Sequence, residues 1–255
     1  MKKIYLAALT LAMTACVSND DLNPVDNYGY IDVNVSNDPV MVTRAVQTVD
    51  NVNSWTITTK KSDENESKAW SSTTAYEAGA YTVNAQNYEN EDAWKTDNDN
   101  YGAAFYQGSA SITVEAGKSN PASIGCGKAK NAKLTVTIAD MPAAFTEVTL
   151  AAQRGNGNSL VFSEKNNKTE AFFGATEEVS YSLSYKYNNT DKDITGQTIT
   201  MAGAATNNVI NISANDNGLI SVSINYDNEF TTGNSNTITF DAATGNQVET
   251  SVQGN

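Results

Sequence analysis

The residue with the clearest chemistry in this 255-residue chain is Cys16, because the sequence before it has the form of a secretion signal. A pair of lysines, an apolar run over Ile4–Met13 and the small residues Thr14 and Ala15 precede it, which is the order of a cleaved signal. A cysteine directly after the cut is acylated in bacterial lipoproteins. We therefore expect residues 1–15 to be a lipoprotein signal peptide. Cys16 would carry the acyl chains, palmitate among them, that hold the protein on a membrane. The alternative is an ordinary secreted protein in which Cys16 is incidental.

The remaining residue types leave little room for catalysis. The chain contains no histidine, which removes the Ser-His-Asp arrangement, the Cys–His pair and nearly all zinc sites. Two carboxylates could still hydrolyse a glycoside, and the candidate pairs are Glu89 with Glu91 and Glu177 with Glu178. Adjacent acids on a β-chain usually mark solvated turns, however. We predict a protein that is not an enzyme, with no catalytic residue and no cofactor.

The acidic run Asp97–Gly102 partly matches the sequence of a calcium-binding loop. It has acids at its first and third positions and a glycine at its sixth, as an EF-hand loop does. Its fifth position is Tyr101, and its twelfth is Gly108, where the EF-hand requires a bidentate glutamate. Because turns rich in asparagine and aspartate form without metal, we predict no metal site. A loop-type calcium site is the alternative.

Aromatic residues gather around the same acidic run. The rings of Tyr88, Trp94 and Tyr101 lie in sequence beside carboxylates and amides. A sugar-binding surface uses such a set, because the rings stack on C–H faces and the acids accept hydroxyl hydrogens. These three residues are our candidates for glycan or ligand contact. In the competing interpretation, Phe105 and Tyr106 are core residues of the following strand and Trp94 covers the edge of a sandwich.

Charge and cysteine content narrow the range of partners. The formal net charge is −13, and removal of the two lysines in residues 1–15 makes it −15. An acidic chain repels nucleic acid and anionic headgroups, so we predict no nucleic-acid partner. With Cys16 acylated, Cys126 has no other cysteine to pair with. We expect it to be a small buried apolar residue.

The elements that must position these residues are strands. Apolar and polar residues alternate repeatedly from residue 28 onward, which is the pattern of a sheet with one buried and one solvated face. No segment longer than a turn or two has a helical period, and Asn215–Gly218 is typical of a hairpin turn. The chain is therefore predicted to be all-β, with strands around Ile31–Val35, Trp55–Thr58, Tyr81–Ala85, Ile112–Val114, Leu134–Ile138, Tyr181–Tyr187 and Ile220–Tyr226.

The length favours two domains, since a β-sandwich usually takes about 100 residues. A short, glycine-flanked stretch over Ser123–Asn131 is the best seam, and Cys126 lies inside it. We predict an N-terminal β-sandwich over residues 28–125 and a C-terminal β-sandwich over residues 129–255. A flexible acidic tether over residues 16–27 would precede them.

Several stretches together resemble a family of Bacteroidales lipoproteins built around a domain of unknown function. The motifs that carry the resemblance follow one another as Thr43–Ala45, Glu77–Val83, Ala104–Gly108, Val114–Lys118, Cys126 and Asn131–Val136. That group is similar to the fimbrillins, which implies two tandem transthyretin-like β-sandwich domains without substantial helix. It also implies a lipid-anchored protein of the outer membrane, where acidic residues just after the lipidated cysteine, here Ser18–Asp21, accompany export to the cell surface.

The same resemblance suggests a role for Arg44. In fimbrillins, a trypsin-like protease cuts after an arginine in the first strand region, and removal of that strand opens a groove for a neighbour's strand. Cleavage between Arg44 and Ala45 would follow this route, and strand addition would then bind a protein partner. In the alternative interpretation, Arg44 is a loop charge in a relative that does not polymerise.

We therefore predict a cell-surface lipoprotein that acts as a non-catalytic adhesion or assembly component, similar to fimbrillins. The alternative function is that of a glycan-binding accessory lipoprotein in a polysaccharide uptake system. An exposed first-strand groove ending near Arg44 would favour assembly. A concave face lined by Tyr88, Trp94 and Tyr101 would favour sugar binding.

Overall fold

A computed structural model describes residues 27–36, 55–155, 157–166, 168–228, 231–232 and 235–253. Within these ranges the chain forms eighteen strands and one short helix, α1 (Glu91–Thr96), which confirms the predicted all-β fold. Cys16, residues 16–26 of the tether, Arg44 and Ala45 lie outside the described residues, and what we expect of them stays a prediction. No helix in the described ranges is long and apolar enough to span a membrane.

The N-terminal sandwich is built from seven strands: β1 (Tyr28–Ser36), β2 (Thr56–Lys61), β3 (Lys68–Ala69), β4 (Tyr76–Glu77), β5 (Gly79–Gln86), β6 (Gln107–Val114) and β7 (Ser119–Gly125). One sheet has the strand order β4-β1-β7 and the other β3-β2-β5-β6. Alternate side chains of both sheets meet in a single core. Ile31, Val83 and Ile124 are fully buried in it.

The C-terminal sandwich contains the remaining strands: β8 (Ala132–Ile138), β9 (Phe145–Gln153), β10 (Ser159–Ser163), β11 (Glu170–Phe173), β12 (Glu178–Tyr187), β13 (Thr190–Thr200), β14 (Asn207–Ala214), β15 (Leu219–Asn228), β16 (Thr231–Thr232), β17 (Ser235–Asp241) and β18 (Gln247–Gln253). One sheet has the order β10-β9-β12-β13. The other has the order β11-β8-β14-β15-β17-β18, with β16 beside β15. Phe162, Leu183 and Ile212 are among the side chains that fill the core between them.

Each sandwich contains a parallel strand pair, which the alternation pattern did not predict. β1 pairs with β7, and β8 pairs with β14. Alternation tells which side chains are buried but does not tell the direction of the neighbouring strand. In both pairs a buried asparagine lies near the start of the later strand. Asn120 lies opposite Ile31, and Asn208 lies opposite Leu134.

Asn120 and Asn208 make equivalent hydrogen bonds. The Nδ2 of Asn120 donates to the carbonyl of Tyr30 at 3.0 Å, and the Nδ2 of Asn208 donates to the carbonyl of Lys133 at 3.1 Å. Each Oδ1 accepts a hydrogen bond from a backbone N–H a few residues before it, at 3.1 and 3.0 Å. Each asparagine therefore connects the turn that precedes its own strand to the first strand of the same sandwich, and it satisfies buried backbone groups there.

The predicted seam Ser123–Asn131 overlaps the end of the last strand of the N-terminal sandwich. Residues 123–125 belong to β7 rather than to a linker, because Ile124 is needed in the core, where it is 0% exposed. Cys126 itself is 1% exposed, as expected of a buried apolar residue, and burial raises the pKa of its thiol. Gly108 allows this close packing, since a Cβ there would lie 2.7 Å from Cys126 Sγ. The division into domains stays a prediction.

The predicted hairpin turn at Asn215–Gly218 is confirmed. It joins β14 to β15, and these strands pair antiparallel. Gly218 has a φ of +76°, a conformation that glycine adopts at no steric cost. The Oδ1 of Asn215 accepts hydrogen bonds from the backbone N–H groups of Asn217 and Leu219, at 3.0 and 3.1 Å.

Replacing Asn208 with alanine should lower the free energy of unfolding by about 3 kcal/mol, because buried backbone groups lose their hydrogen-bond partners. Urea denaturation followed by circular dichroism measures the loss. Asn211→Ala, at a half-buried position of the same strand, is the control and should change the value by no more than about 0.5 kcal/mol. Equal losses in the two variants would contradict the special role of Asn208.

Candidate functional site

The aromatic residues singled out in the sequence lie in one excursion, residues 87–106, between β5 and β6. The excursion contains α1, whose start is set by Asn90. The Oδ1 of Asn90 accepts hydrogen bonds from the backbone N–H groups of Asp92 and Ala93, at 3.0 and 2.9 Å, as an N-cap residue does. From there the excursion leaves the N-terminal sandwich and packs against the C-terminal one.

Arg154, which directly follows β9, holds the excursion through backbone carbonyls. Its Nη2 donates to the carbonyl of Tyr101 at 3.0 Å and to that of Phe172 at 2.5 Å. Its Nη1 donates to the carbonyl of Lys95. Arg154 is 4% exposed, and burial lowers the pKa of its guanidinium from the ordinary value. Arginine stays charged in proteins, and hydrogen bonds from a charged donor are the stronger kind.

Two aromatic rings flank the guanidinium of Arg154. Its Cζ lies 5.7 Å from the ring centroid of Trp94 and 5.3 Å from that of Phe173, distances at which cation–π attraction operates. Gly102 approaches from a third side. A Cβ at Gly102 would lie 2.7 Å from Nη2, and its φ is +82°. Both observations explain why a glycine is needed at this position.

Tyr101 belongs to the C-terminal core although it comes between two strands of the N-terminal sandwich. It is 8% exposed, and its ring meets that of Phe162 edge-on, with centroids 5.5 Å apart. Its hydroxyl donates to the carbonyl of Val161. Its own carbonyl accepts a hydrogen bond from the N–H of Phe172 at 2.8 Å. The residue therefore fastens the excursion to β10 and to β11.

Tyr88, Trp94 and Tyr101, the candidates for glycan or ligand contact, all lie in this excursion, and glycan contact through them stays a prediction. Trp94 is 2% exposed, so its ring is covered, as is that of Tyr101. The physical reason is the buried charge of Arg154, which takes aromatic faces as neighbours. Tyr88 is half-buried, and its hydroxyl donates to Asp97 Oδ2 at 2.5 Å. Burial and this bond raise the pKa of Tyr88 to about 12.

The acidic run Asp97–Gly102 forms a turn with a left-handed backbone at three successive residues, Asn98 (φ 50°), Asp99 (φ 58°) and Asn100 (φ 71°). Asparagine and aspartate tolerate this conformation better than other side chains. The Nζ of Lys168 lies 2.9 Å from Asn98 Oδ1 and 3.3 Å from Asp99 Oδ2. In the part of the chain that the structure describes, no group of three or more carboxylate, thiol or imidazole side chains could hold a metal ion.

Glu177, from one of the two predicted carboxylate pairs, has a structural task. Its carboxylate accepts hydrogen bonds from the N–H groups of Gly174 at 2.7 Å and Gly155 at 3.3 Å. Its neighbour Glu178 is exposed at the start of β12. In the other pair, Glu89 is exposed, and the side chain of Glu91 lies outside the description.

In the connection between the sandwiches, Asn131 forms hydrogen bonds with the same excursion. Asn131 is 3% exposed. Its Oδ1 accepts from the N–H of Phe105 at 3.0 Å, and its Nδ2 donates to the carbonyl of Ala103 at 2.8 Å. Neither Arg154 nor Asn131 was predicted from the sequence as a site residue. One signal was available, since Arg154 is one of just two arginines in the chain.

A second candidate site is the outer edge of β18. Among the described strands, β18 pairs with β17 on one side and ends the sheet on the other. Val248 and Val252 are 56% and 65% exposed. Thr250, between them, lies opposite Ile238, and Ile238 packs against the core. Because alternate residues of a strand share a face, Val252 lies with Thr250 on the core-facing side of the sheet. Val248 lies at a shift in register, where Phe240 of β17 pairs with Gln247.

Residues 27–253 match a family model described as a domain of unknown function, DUF4493. The chain belongs to the DUF4493 family. The predicted family, built around a domain of unknown function, is thereby confirmed. No curated protein matches the sequence at a significant level.

Three solved structures are similar to this DUF4493 chain at low identity. A candidate cell adhesion protein from Bacteroides ovatus is 10% identical with a TM-score of 0.38, and the match covers 79% of this chain and 95% of that one. A fimbrial protein from the same organism is 11% identical with a TM-score of 0.30, covering 76% of this chain and 52% of that one. The pilus adhesin SpaC from Lactobacillus rhamnosus GG is 11% identical with a TM-score of 0.25, covering 89% and 30%.

Arg154→Met should loosen the excursion, because three backbone carbonyls lose a charged donor. We expect a loss of about 3 kcal/mol in the free energy of unfolding and faster amide hydrogen exchange in residues 94–102. Lys60→Met, at an exposed position on β2, is the control and should leave both quantities unchanged. Unaltered exchange in the excursion of the Arg154 variant would show that the guanidinium does not hold it.

Proposed function

We propose that this DUF4493 chain is a cell-surface lipoprotein that acts as a non-catalytic adhesion or assembly component. Cys16 would anchor it to the outer membrane, and a protein partner would bind by adding a strand to a sheet. The observation that supports this proposal is the exposed edge of β18, which carries the exposed side chains of Val248 and Val252.

The composition of β18 does not protect its edge. Proteins commonly block an edge strand with proline, lysine or a covering segment. β18 has the sequence QVETSVQ, in which Glu249 is the single charged residue and proline is absent. The outer N–H and C=O groups of such a strand can pair with a strand from another chain.

The two valines supply the driving force for strand addition. A partner strand that extends the sheet would place its own apolar side chains beside Val248 and Val252 and remove them from water. Burying most of two valine side chains contributes on the order of 3 kcal/mol. The backbone pairing sets the register, and the two valines select a partner with apolar residues at matching positions.

The position of the edge also suits an anchored assembly component. The lipid anchor would precede the N-terminal sandwich, whereas β18 is the last described strand of the C-terminal one. The Arg154 contacts connect these two parts of the chain. A force applied to a partner bound at β18 would therefore be transmitted to the anchor by the hydrogen bonds and packing of Arg154, as well as by the connecting residues 126–131.

Cleavage after Arg44 should begin assembly. The other arginine, Arg154, is 4% exposed, so an arginine-specific protease acting on the folded full-length protein tests Arg44 alone. We expect one cut and ladders of multimers on a gel, with release of the large fragment from the detergent phase once β1, which belongs to residues 16–44, separates from β4 and β7. Arg44→Ala should stay uncut. An uncut wild-type protein would refute processing, and a cut product that remains monomeric would refute processing-driven assembly.

A double Val248→Lys and Val252→Lys variant should be cut normally and form no ladder. Two lysines place like charges on each edge strand that would pair and remove its apolar contact. The matched control is Val161→Lys, which introduces lysine at an exposed valine on a different edge strand, β10, where Val161 is 42% exposed. Gel ladders and light scattering measure assembly. Normal assembly of the double variant would refute the role of β18.

A further inference from the structure

A trough with a volume of about 400 Å³ lies on the β10-β9-β12-β13 sheet. A row of small polar residues crosses all four strands there. Ser163 pairs with Thr149, Thr149 pairs with Ser184, and Ser184 pairs with Asp193. Because directly paired residues project to the same face of a sheet, three hydroxyls and a carboxylate form one line. Four adjacent strands span about 14 Å, which is longer than a single pyranose ring.

The hollow shape follows from side-chain size. The residues of the row are short, whereas the trough is bounded at one end by the long side chains of Lys186 and Glu147, whose Nζ and Oε1 atoms lie 2.9 Å apart. Glu147 has a φ of +54°, at an irregularity in the pairing of β9 with β12. Left-handed backbone is costly for a glutamate, and such strain is often retained where the direction of a side chain matters.

The charges that line the trough have both signs. Besides Asp193, its walls include the acids Glu147, Glu164 and Asp191 and the lysines Lys165, Lys186 and Lys192. Four carboxylates and three ammonium groups leave little net attraction for a ligand of either sign. They do provide closely spaced acceptors and donors, with hydroxyls that can act as either.

We propose that this trough binds a neutral carbohydrate. Each hydroxyl of a sugar both donates and accepts a hydrogen bond, so a polyhydroxylated neutral ligand can use carboxylates, ammonium groups and hydroxyls together. The site uses none of Tyr88, Trp94 and Tyr101, and it lies on the sheet that does not contain β18. It therefore goes beyond the proposed strand pairing and does not depend on it. With hydrogen bonds as the main contacts, we expect a dissociation constant of about 1 mM.

The test uses the full-length protein on a glycan array that carries neutral, acidic and amino-sugar oligosaccharides. Titration of the best neutral oligosaccharide, followed by NMR, then gives its dissociation constant. We expect neutral glycans to bind in preference to the two charged classes. Asp193→Ala removes an exposed acceptor and should weaken binding at least tenfold. Ser184→Ile replaces a hydroxyl of the row with a β-branched apolar side chain, which suits a strand position but neither donates nor accepts a hydrogen bond, and should weaken binding at least tenfold.

The matched control is Asp216→Ala, which removes an exposed carboxylate in the Asn215–Gly218 turn and should bind as the wild type does. Three results would overturn the proposal: no neutral glycan bound at about 10 mM, a preference for charged glycans, or binding that survives both trough variants. The double lysine variant of β18 should still bind the glycan. Loss of assembly and loss of sugar binding are therefore separate outcomes.

Discussion

A buried guanidinium connects the two sandwiches of this chain, and the identity of its neighbours follows from its charge. Taking an arginine out of water costs several kcal/mol unless its donors are satisfied. Arg154 offsets part of that cost with the carbonyls of Lys95, Tyr101 and Phe172 and with the faces of Trp94 and Phe173, while its Nε is buried without a hydrogen-bond partner among the described residues. The excursion between β5 and β6 must therefore place its backbone carbonyls and its largest side chain, Trp94, beside the guanidinium of Arg154.

The need for backbone carbonyls explains the shape of the excursion. A backbone carbonyl can accept a hydrogen bond from Arg154 only where its own helix or turn does not already use it. Residues 95–102 supply such carbonyls, because they lie at the end of α1 and in the left-handed turn that follows. Gly102 lets the chain pass close to the guanidinium. Asn131 adds amide contacts to the end of the same excursion. The aromatic and acidic residues that invite a ligand interpretation are thus used within the protein.

A second constraint acts inside each sandwich. Each sandwich has a parallel pair, β1 with β7 or β8 with β14. In each pair the turn before the later strand lies beside the first strand of the sandwich, and a buried asparagine makes hydrogen bonds with the backbone groups of both. Both segments contain an Ala-Gly pair, an asparagine three or five positions after the glycine, and an isoleucine four positions after the asparagine. The members are Ala116, Gly117, Asn120 and Ile124 in one sandwich and Ala202, Gly203, Asn208 and Ile212 in the other. This repeat was visible in the sequence, but it acquires meaning only when the shared geometry is known.

The sequence alone determined the all-β class, the Asn215–Gly218 hairpin, the burial of Cys126 and the family, because alternation, turn chemistry and motif order are local properties of a chain. It left open the strand directions, the position of Trp94 and Tyr101, and the partners of Arg154. Those features depend on contacts between residues far apart: Tyr101 and Arg154 are 53 positions apart. The same holds for the trough on β9, β10, β12 and β13, whose row of hydroxyls exists only when four separate strands align in register. An alternating pattern predicts which face of a strand is buried. Only the tertiary structure decides which residues that face contacts.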